Sequence, residues 1–465
     1  QAPDCIASRT VSRTMNALNR DRLLALSSDA DAMVLARQHP VTGLLPASTA
    51  TTVHGDYSHA WVRDNVYSVI GLWALSAAWR RQPDGAARAD LYAQAVIKNM
   101  RGLLTCMMRQ AGKVERFKAS EDPLDSLHAK YDTATCEPVV TDDGWGHLQI
   151  DATSVFLLFL AQMTRSGLRI VADRAEADFV QNLVHYIGPA YRIADYGIWE
   201  RGDKINDGGR EINASSVGMA KAALEAMQGL DVFAGARGQA GIIHAMPDEI
   251  ARARETLDVL LPLESISKET DGALLSIVGW PAFAVDDPRL VERTRDKIVE
   301  KLEGRYGAKR FLRDGHQTVA EDSARLHYQA GELARFENIE SEWPLFFAYQ
   351  MVDGFVSGDL ARGGDYAARL KPLFVERSGR MALPELYIVP EEGITAELAE
   401  PGSQDRIPGE NAPLLWAQSL WLTGELLRLG LVTPADIDPL KRRERPHRIK
   451  PEMGLNIVFL AEDDM

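Results

Sequence analysis

The chain is predicted to fold as an all-helical protein with six inner helices wrapped by six outer ones, and three observations carry that prediction. About twelve stretches place apolar residues at helical spacing along the 465 residues, whereas strand signals are few and short. Six short segments rich in tryptophan, carboxylate and arginine recur along the chain. Each stands immediately before every second helical stretch, so an inner ring built from those helices would open all six segments at one end.

The helical stretches run at about 12–39, 65–81, 87–109, 151–165, 175–194, 214–229, 247–260, 271–278, 288–302, 344–356, 361–375 and 413–429. Within 175–194, Phe179, Leu183, Ile187 and Ala190 to Tyr191 form one stripe, with Glu176, Asp178 and Gln181 away from it. That is an outer helix with one solvated face. The stretch from Ile150 to Met163 is apolar nearly all round, as an inner helix must be. Asp287-Pro288 and Met246-Pro247-Asp248-Glu249 put proline and acids in first turns, and Asn213 or Ser215 is positioned to cap the helix at 214–229. Gly241-Ile242-Ile243-His244 is a short strand signal.

The composition is 46% hydrophobic and 25% charged, which is globular, with material for a large core. No low-complexity linker divides the sequence, so one domain over 1–465 is expected, with 1–30 as a lead-in and 435–465 as a tail packed on the barrel. A net charge of −14 opposes nucleic-acid binding, which depends on neutralising phosphates with Lys and Arg. The basic run Lys441-Arg442-Arg443-Glu444-Arg445 is expected to be a solvated surface. Cys5, Cys106 and Cys136 are an odd set in a chain too large to need disulfides, so free thiols and a cytoplasmic location are expected. No apolar run approaches the ~20 residues that span a bilayer. Because Gln1 stands first, a periplasmic or secreted location after signal cleavage is the alternative.

The six segments are 60–64, 145–151, 197–203, 268–271, 335–344 and 383–387. Hydrolysis of a glycosidic bond needs one carboxyl group to protonate the leaving oxygen and a second to activate water or attack. Glu200 follows Trp199 and Ile198, an apolar setting that holds a carboxyl proton near neutrality, which suits a general acid. Glu385, between Pro384 and Tyr387, suits a general base on the opposite side of the ring. Either glutamate is also readable as a surface or helix-terminal acid. Arg63 and Asp64 form either a clamp for sugar hydroxyls or a salt bridge with Asp64 capping the next helix. Trp61, Trp145 and Trp199 suit core packing or stacking on sugar faces, and their charged neighbours favour stacking. Asp151 closes the second segment. Arg335 and Glu337 are further candidate clamps, and Glu340 and Glu342 are either clamps or first-turn acids before Pro344.

Other chemistries find no support. The sequence has no Walker-type phosphate loop, no paired cysteines at metal spacing and no zinc-protease histidine pair, so neither cofactor nor metal is expected.

Several longer segments carry a resemblance: 40–48, Ala60 to Ser68, Trp145 to Gly167, Tyr196 to Ala226, 304–307, 311–315, Phe336 to Pro344 and 416–420. Across about Val34 to Glu462 the chain resembles the glucoamylase-type glycoside hydrolases of family 15, and within them the glucoamylase-like part of phosphorylase kinase α and β regulatory subunits. The resemblance implies an (α/α)6 barrel. It also implies an inverting hydrolase that releases glucose from α-glucosides, with Glu200 as acid and Glu385 as base. Trp61, Arg63 and Asp64 match the family's sugar clamp, and Arg335 before Pro344 matches its substrate arginine. Trp145, Asp151, Trp199, Arg201, Glu337 and Trp416 complete the substrate contacts expected. Arg201 stands where fungal members have a second acid. The likeness to kinase subunits implies an alternative, a carbohydrate-binding or regulatory domain without catalysis, with protein partners unspecified.

Overall fold

The computed structural model describes residues 4–48, 51–52, 55–199, 209–235, 238–322, 324–325 and 327–447. The inner helices are α2 (Val62–Ser68) continued by α3 (Ile70–Arg80), α6 (Ile150–Arg165), α8 (Ala214–Met227), α10 (Leu275–Val278), α12 (Pro344–Ser357) and α15 (Leu415–Arg428). They pack in that order, and α15 returns to α2 and α3, closing the ring. The outer helices are α1 (Asp4–Met33), α4 (Ala86–Met108), α7 (Arg174–Ile187), α9 (Pro247–Leu260), α11 (Pro288–Leu302) and α13 (Leu360–Leu370). The outer helices pack on the inner ring, several of them on two inner helices at once, and α1, which takes in most of residues 1–30, lies against α15 and α3. The architecture is an (α/α)6 barrel.

Burial follows the sequence pattern. In α6 every residue from Ile150 to Thr164 is buried, and in α12 every residue from Pro344 to Val356. These helices have apolar side chains on all faces because they touch the ring neighbours, the outer helix and the barrel centre at once. On α7 the buried set is confined to one stripe, Ala177, Phe179, Val180, Leu183, Val184, Tyr186 and Ile187, and Asp173 caps it by accepting from the Glu176 N–H at 3.0 Å. Gly218 lets α8 meet α10 closely, since a Cβ there would stand 2.7 Å from Ile277.

Several elements differ from expectation. The predicted helix at 271–278 is a 3-10 turn, Gly272–Leu274, followed by the short α10. An additional helix, α5 (Ala111–Ser120), follows α4, and the short α14 (Ile394–Ala399) and α16 (Pro434–Ile437) lie in the later connections. The strand signal at Gly241 to His244 amounts to one bridge, Asp231 to Ile242. Asn213 and Ser215 do not cap α8; their side chains bond Asp195 and Glu264 instead. The basic run near the end is solvated only in part: Lys441 is exposed, but Arg442 is not. Arg442 is 1% exposed, donates to Ala282 O at 2.7 Å and pairs with Glu225 at 3.0 Å, because a guanidinium entering the barrel end must find acceptors there.

Candidate functional site

The N-terminal ends of the inner helices converge, and their preceding loops are stitched together there. Asp195 accepts from the Ile150 N–H that starts α6 at 3.0 Å and from Ser216 Oγ on α8 at 2.7 Å. Asp271 accepts from Trp199 Nε1 at 2.8 Å, joining the third and fourth segments. The fifth and sixth join through the backbone: the Glu342 N–H bonds Tyr387 O at 3.0 Å, and the Tyr387 N–H bonds Glu342 O at 2.8 Å. Short antiparallel ribbons complete the frame, with Trp61 opposite Lys130 and Tyr387 opposite Pro408.

Glu385 is buried in this frame and both of its oxygens are engaged. Tyr57 OH donates to Oε1 at 2.8 Å, while Gln317 Nε2 and Asn411 Nδ2 donate to Oε2 at 2.9 and 2.8 Å. His316 Nε2 lies 4.0 Å from Oε1. Burial pushes the Glu385 carboxyl above its ordinary range, opposed by the bonds from Asn411, Gln317 and Tyr57. Gln317 holds a positive φ of 56°, a backbone region that side-chain-bearing residues rarely adopt, and does so where its amide meets Glu385.

Arg63 and Asp151 form a buried ion pair at 2.8 Å, with Arg63 also donating to Gln149 Oε1 and to the Ile198 carbonyl. The alternative of an Arg63 salt bridge is thus realised with Asp151 on the next inner helix. Asp64 is buried in the first turn of α2, whose cap position is Trp61. Trp416 forms a floor beneath: it stacks on Tyr67 at 4.7 Å and on Trp199 at 6.1 Å, with the Arg63 guanidinium 5.9 Å from its ring. To one side, Trp61 and Trp145 meet edge to face at 6.5 Å, and the Lys130 ammonium lies 4.4 Å from the first ring and 5.4 Å from the second. Behind Trp145, His128 and His147 stack at 3.7 Å. Burial, then His128, brings the His147 pKa down to about 4.

Two acids in the frame are held toward the protonated form. Burial pushes Asp195 and Asp271 up to about 6, even though Asp271 faces Lys268 and Asp195 has four polar donors. Burial also raises Asp151 against the pull of Arg63.

Not every expected residue joins this constellation. Arg335 and Glu337 are exposed; Arg335 lies against Phe336, and Glu337 pairs with Arg313 at 3.2 Å. Arg310 occupies the interior instead. Its guanidinium is 5.1 Å from both the Trp199 and Trp343 rings and pairs with Asp314 at 2.6 Å. The sequence offered one signal for it, its place just before the segment 311–315, whereas Tyr57, Gln317 and Asn411 are isolated polar residues without pattern. Glu340 and Glu342 are buried and tie loops together, Glu340 through Lys309 at 2.8 Å and Glu342 through the Tyr306 N–H at 2.7 Å and Arg406 at 3.1 Å. Glu200 and Arg201 lie outside the described residues. Among the described residues, no group of three or more His, Cys, Asp or Glu is arranged to hold a metal, and no helix is long and apolar enough to cross a membrane. A groove of about 1860 Å³ lies at the other end of the barrel, bordered by Arg165, Gln228, Asp258, Arg289 and Lys441. It is remote from the stitched loops.

Comparison with known proteins puts this geometry in context. The family described as "Glycosyl hydrolases family 15" matches residues 21–456. The chain is 51% identical over 435 residues to the phosphorylase b kinase regulatory subunit alpha, skeletal muscle isoform, of Mus musculus, covering 93% of this chain and 34% of that one. It is 49% identical over 436 residues to the probable phosphorylase b kinase regulatory subunit alpha of Drosophila melanogaster, with 93% and 34% covered. The chain thus spans about a third of the length of these relatives. Among solved structures, a wild-type glycosidase has a TM-score of 0.60 at 18% identity, covering 89% of this chain and 98% of that one. A bacterial glucoamylase complexed with acarbose has a TM-score of 0.53 at 14% identity, covering 90% and 57%. At such identities the solved structures speak for the fold alone. The relatives that share half of the residues are regulatory subunits, and this corrects the expectation that the chain is a glycoside hydrolase.

Proposed function

The chain belongs to glycosyl hydrolases family 15, and from that premise we propose that it is a non-catalytic regulatory domain of the phosphorylase kinase α type, which binds the end of an α-glucoside or oligosaccharide at its stitched loops without cleaving it. The observation that carries this reading is the 51% identity to a named regulatory subunit, set against 18% to a glycosidase of the same fold. Tyr57, Gln317 and Asn411 all donate to the Glu385 carboxyl, which suits a fixed acceptor in a binding site.

In this reading the partly exposed Trp61 and Trp145 supply faces for sugar rings, the buried Trp199 and Trp416 back the site, and Arg63, Asp64, Asp151 and Glu385 set its polar contour. The chain acts in the same reading as one domain with the described part of its tail, 435–447, packed on it; 448–465 lie outside the described residues. The partners are the sugar and the other components of a kinase assembly. The buried free thiols of Cys106 and Cys136 suit a reducing, cytoplasmic setting.

Calorimetry with maltotriose, run beside a glucose-release assay, tests the proposal. Binding without glucose release is the expected result. Glucose release abolished by Glu385→Gln would overturn it, and an absence of binding to every glucoside tried would reduce the domain to a protein scaffold.

A further inference from the structure

At the end of the barrel opposite the stitched loops the chain's own tail is fastened to the inner helices, bordering the groove there. Asp438 is 1% exposed and accepts from Gln162 Nε2 of α6 at 3.0 Å, and the Leu440 N–H returns to Gln162 Oε1 at 3.0 Å. Arg442 then reaches Glu225 of α8 and the carbonyl of Ala282, just beyond α10. Three consecutive inner helices are therefore held by one short segment. Glu225 is also paired with Lys221 at 2.9 Å, and Lys221 donates to Ala284 O at 2.7 Å, so the network is both buried and continuous.

The same helices are latched again at their other ends. Asp195 joins the first residue of α6 to Ser216 of α8, and its second oxygen accepts from Asn213 at 2.7 Å and from the Gly197 N–H at 3.2 Å, two residues from Trp199. From Ala214 to Glu225 the α8 axis runs about 16 Å at helical rise. A packed helix transmits displacement along its axis because its neighbours allow few intermediate positions. The Glu225 contact and the Asn213 and Ser216 contacts that hold the Trp199 loop thus stand at the two ends of one helix.

We propose that Arg442 is a positioning residue for the loop-end site: by fastening the tail to α6, α8 and the end of α10, it fixes the Trp199 loop, so that tail docking and glucoside binding favour one another. The inference rests on the glucoside-binding reading for its ligand but not for its geometry. Linkage requires the effect to run both ways. Bound sugar must then protect the tail as much as the docked tail strengthens sugar binding.

The test uses the full chain. Maltotriose affinity is measured for the wild type, Arg442→Ala and Arg442→Lys well below their melting temperatures, and amide exchange is followed at 195–199 and 438–443. The expected result is a loss of affinity of about five-fold or more for Arg442→Ala, partial rescue by Arg442→Lys, and slower exchange at 438–443 when maltotriose is bound. A role in stability alone would lower the melting temperature while leaving the affinity of folded protein unchanged, and that outcome overturns the proposal. If the wild type binds no maltotriose, the glucoside reading fails by itself; faster exchange at 195–199 in Arg442→Ala then upholds the linkage, and unchanged exchange overturns it. Should Arg442→Ala not fold, Gln162→Leu breaks the α6 fastening and is judged by the same readouts.

Discussion

Tyr57 donates its hydroxyl to Glu385 at 2.8 Å, joining residues 328 positions apart in sequence at the convergence of the barrel's loops. Gln317 reaches both of them, bonding Tyr57 OH at 3.2 Å and Glu385 at 2.9 Å. A carboxylate held this way serves as an acceptor for neutral donors, and its replacement has a cost that depends on which atoms remain. Tyr57→Phe removes one donor of three and should lower stability by about 1 kcal/mol in urea unfolding. Glu385→Gln sets an amide N–H against existing donors and should cost about 1–3 kcal/mol, with weakened maltotriose binding. Equal and negligible effects for the two would show that the network does not hold the site.

The two candidate arginines are distinguishable by substitution. Arg310 lies against both Trp199 and Trp343, whereas Arg335 is exposed. Arg310→Lys loses the planar fork and should weaken maltotriose binding by about ten-fold or more, a difference of about 1.4 kcal/mol. Arg335→Lys should leave binding within about two-fold. Calorimetry on both variants decides, and the reverse ranking would restore Arg335 as the sugar contact.

The Arg63 and Asp151 pair is 3% and 4% exposed, so neither charge is stable alone. Asp151→Ala should destabilise the fold by about 3–5 kcal/mol, because it leaves a buried guanidinium short of an acceptor. The double substitution Arg63→Met with Asp151→Leu should recover part of that loss in denaturant melts. It should also abolish sugar binding if the pair shapes the pocket.

Opposing pH effects are built into the frame. His147 has a folded pKa of about 4, below the unfolded value near 6.5, so its neutral form favours folding and stability is lost as pH falls from about 6.5 toward 4. Asp195 is raised to about 6 from an unfolded value near 3.9, so the folded state holds the extra proton. Its contribution therefore grows as pH falls through 6 toward 4 and is lost again as pH rises. His147→Gln should make stability rise more steeply on acidification over that window, and Asp195→Asn should flatten the rise. Chemical denaturation at pH 7, 6 and 5 checks both signs.

Much of the barrel was legible in the sequence because an inner helix touches protein on every side and an outer helix on one. That contrast writes itself into residue pattern, as α6 and α7 illustrate. The placement of Trp61, Trp145, Trp199 and Glu385 ahead of alternate inner helices, with Asp151 in the first turn of one, likewise announced a shared loop end. Partner choice was not legible. Arg63 meeting Asp151, Arg310 displacing Arg335 from the interior, and Tyr57, Gln317 and Asn411 enclosing Glu385 are long-range pairings of isolated polar residues, and hydrogen bonds of this kind leave no periodic trace. Arg442 makes the same point from the opposite end. Its charged neighbours suggested solvent, yet closure of the barrel brought Glu225 and the Ala282 carbonyl within reach, and only with those acceptors present does burial of the guanidinium become favourable.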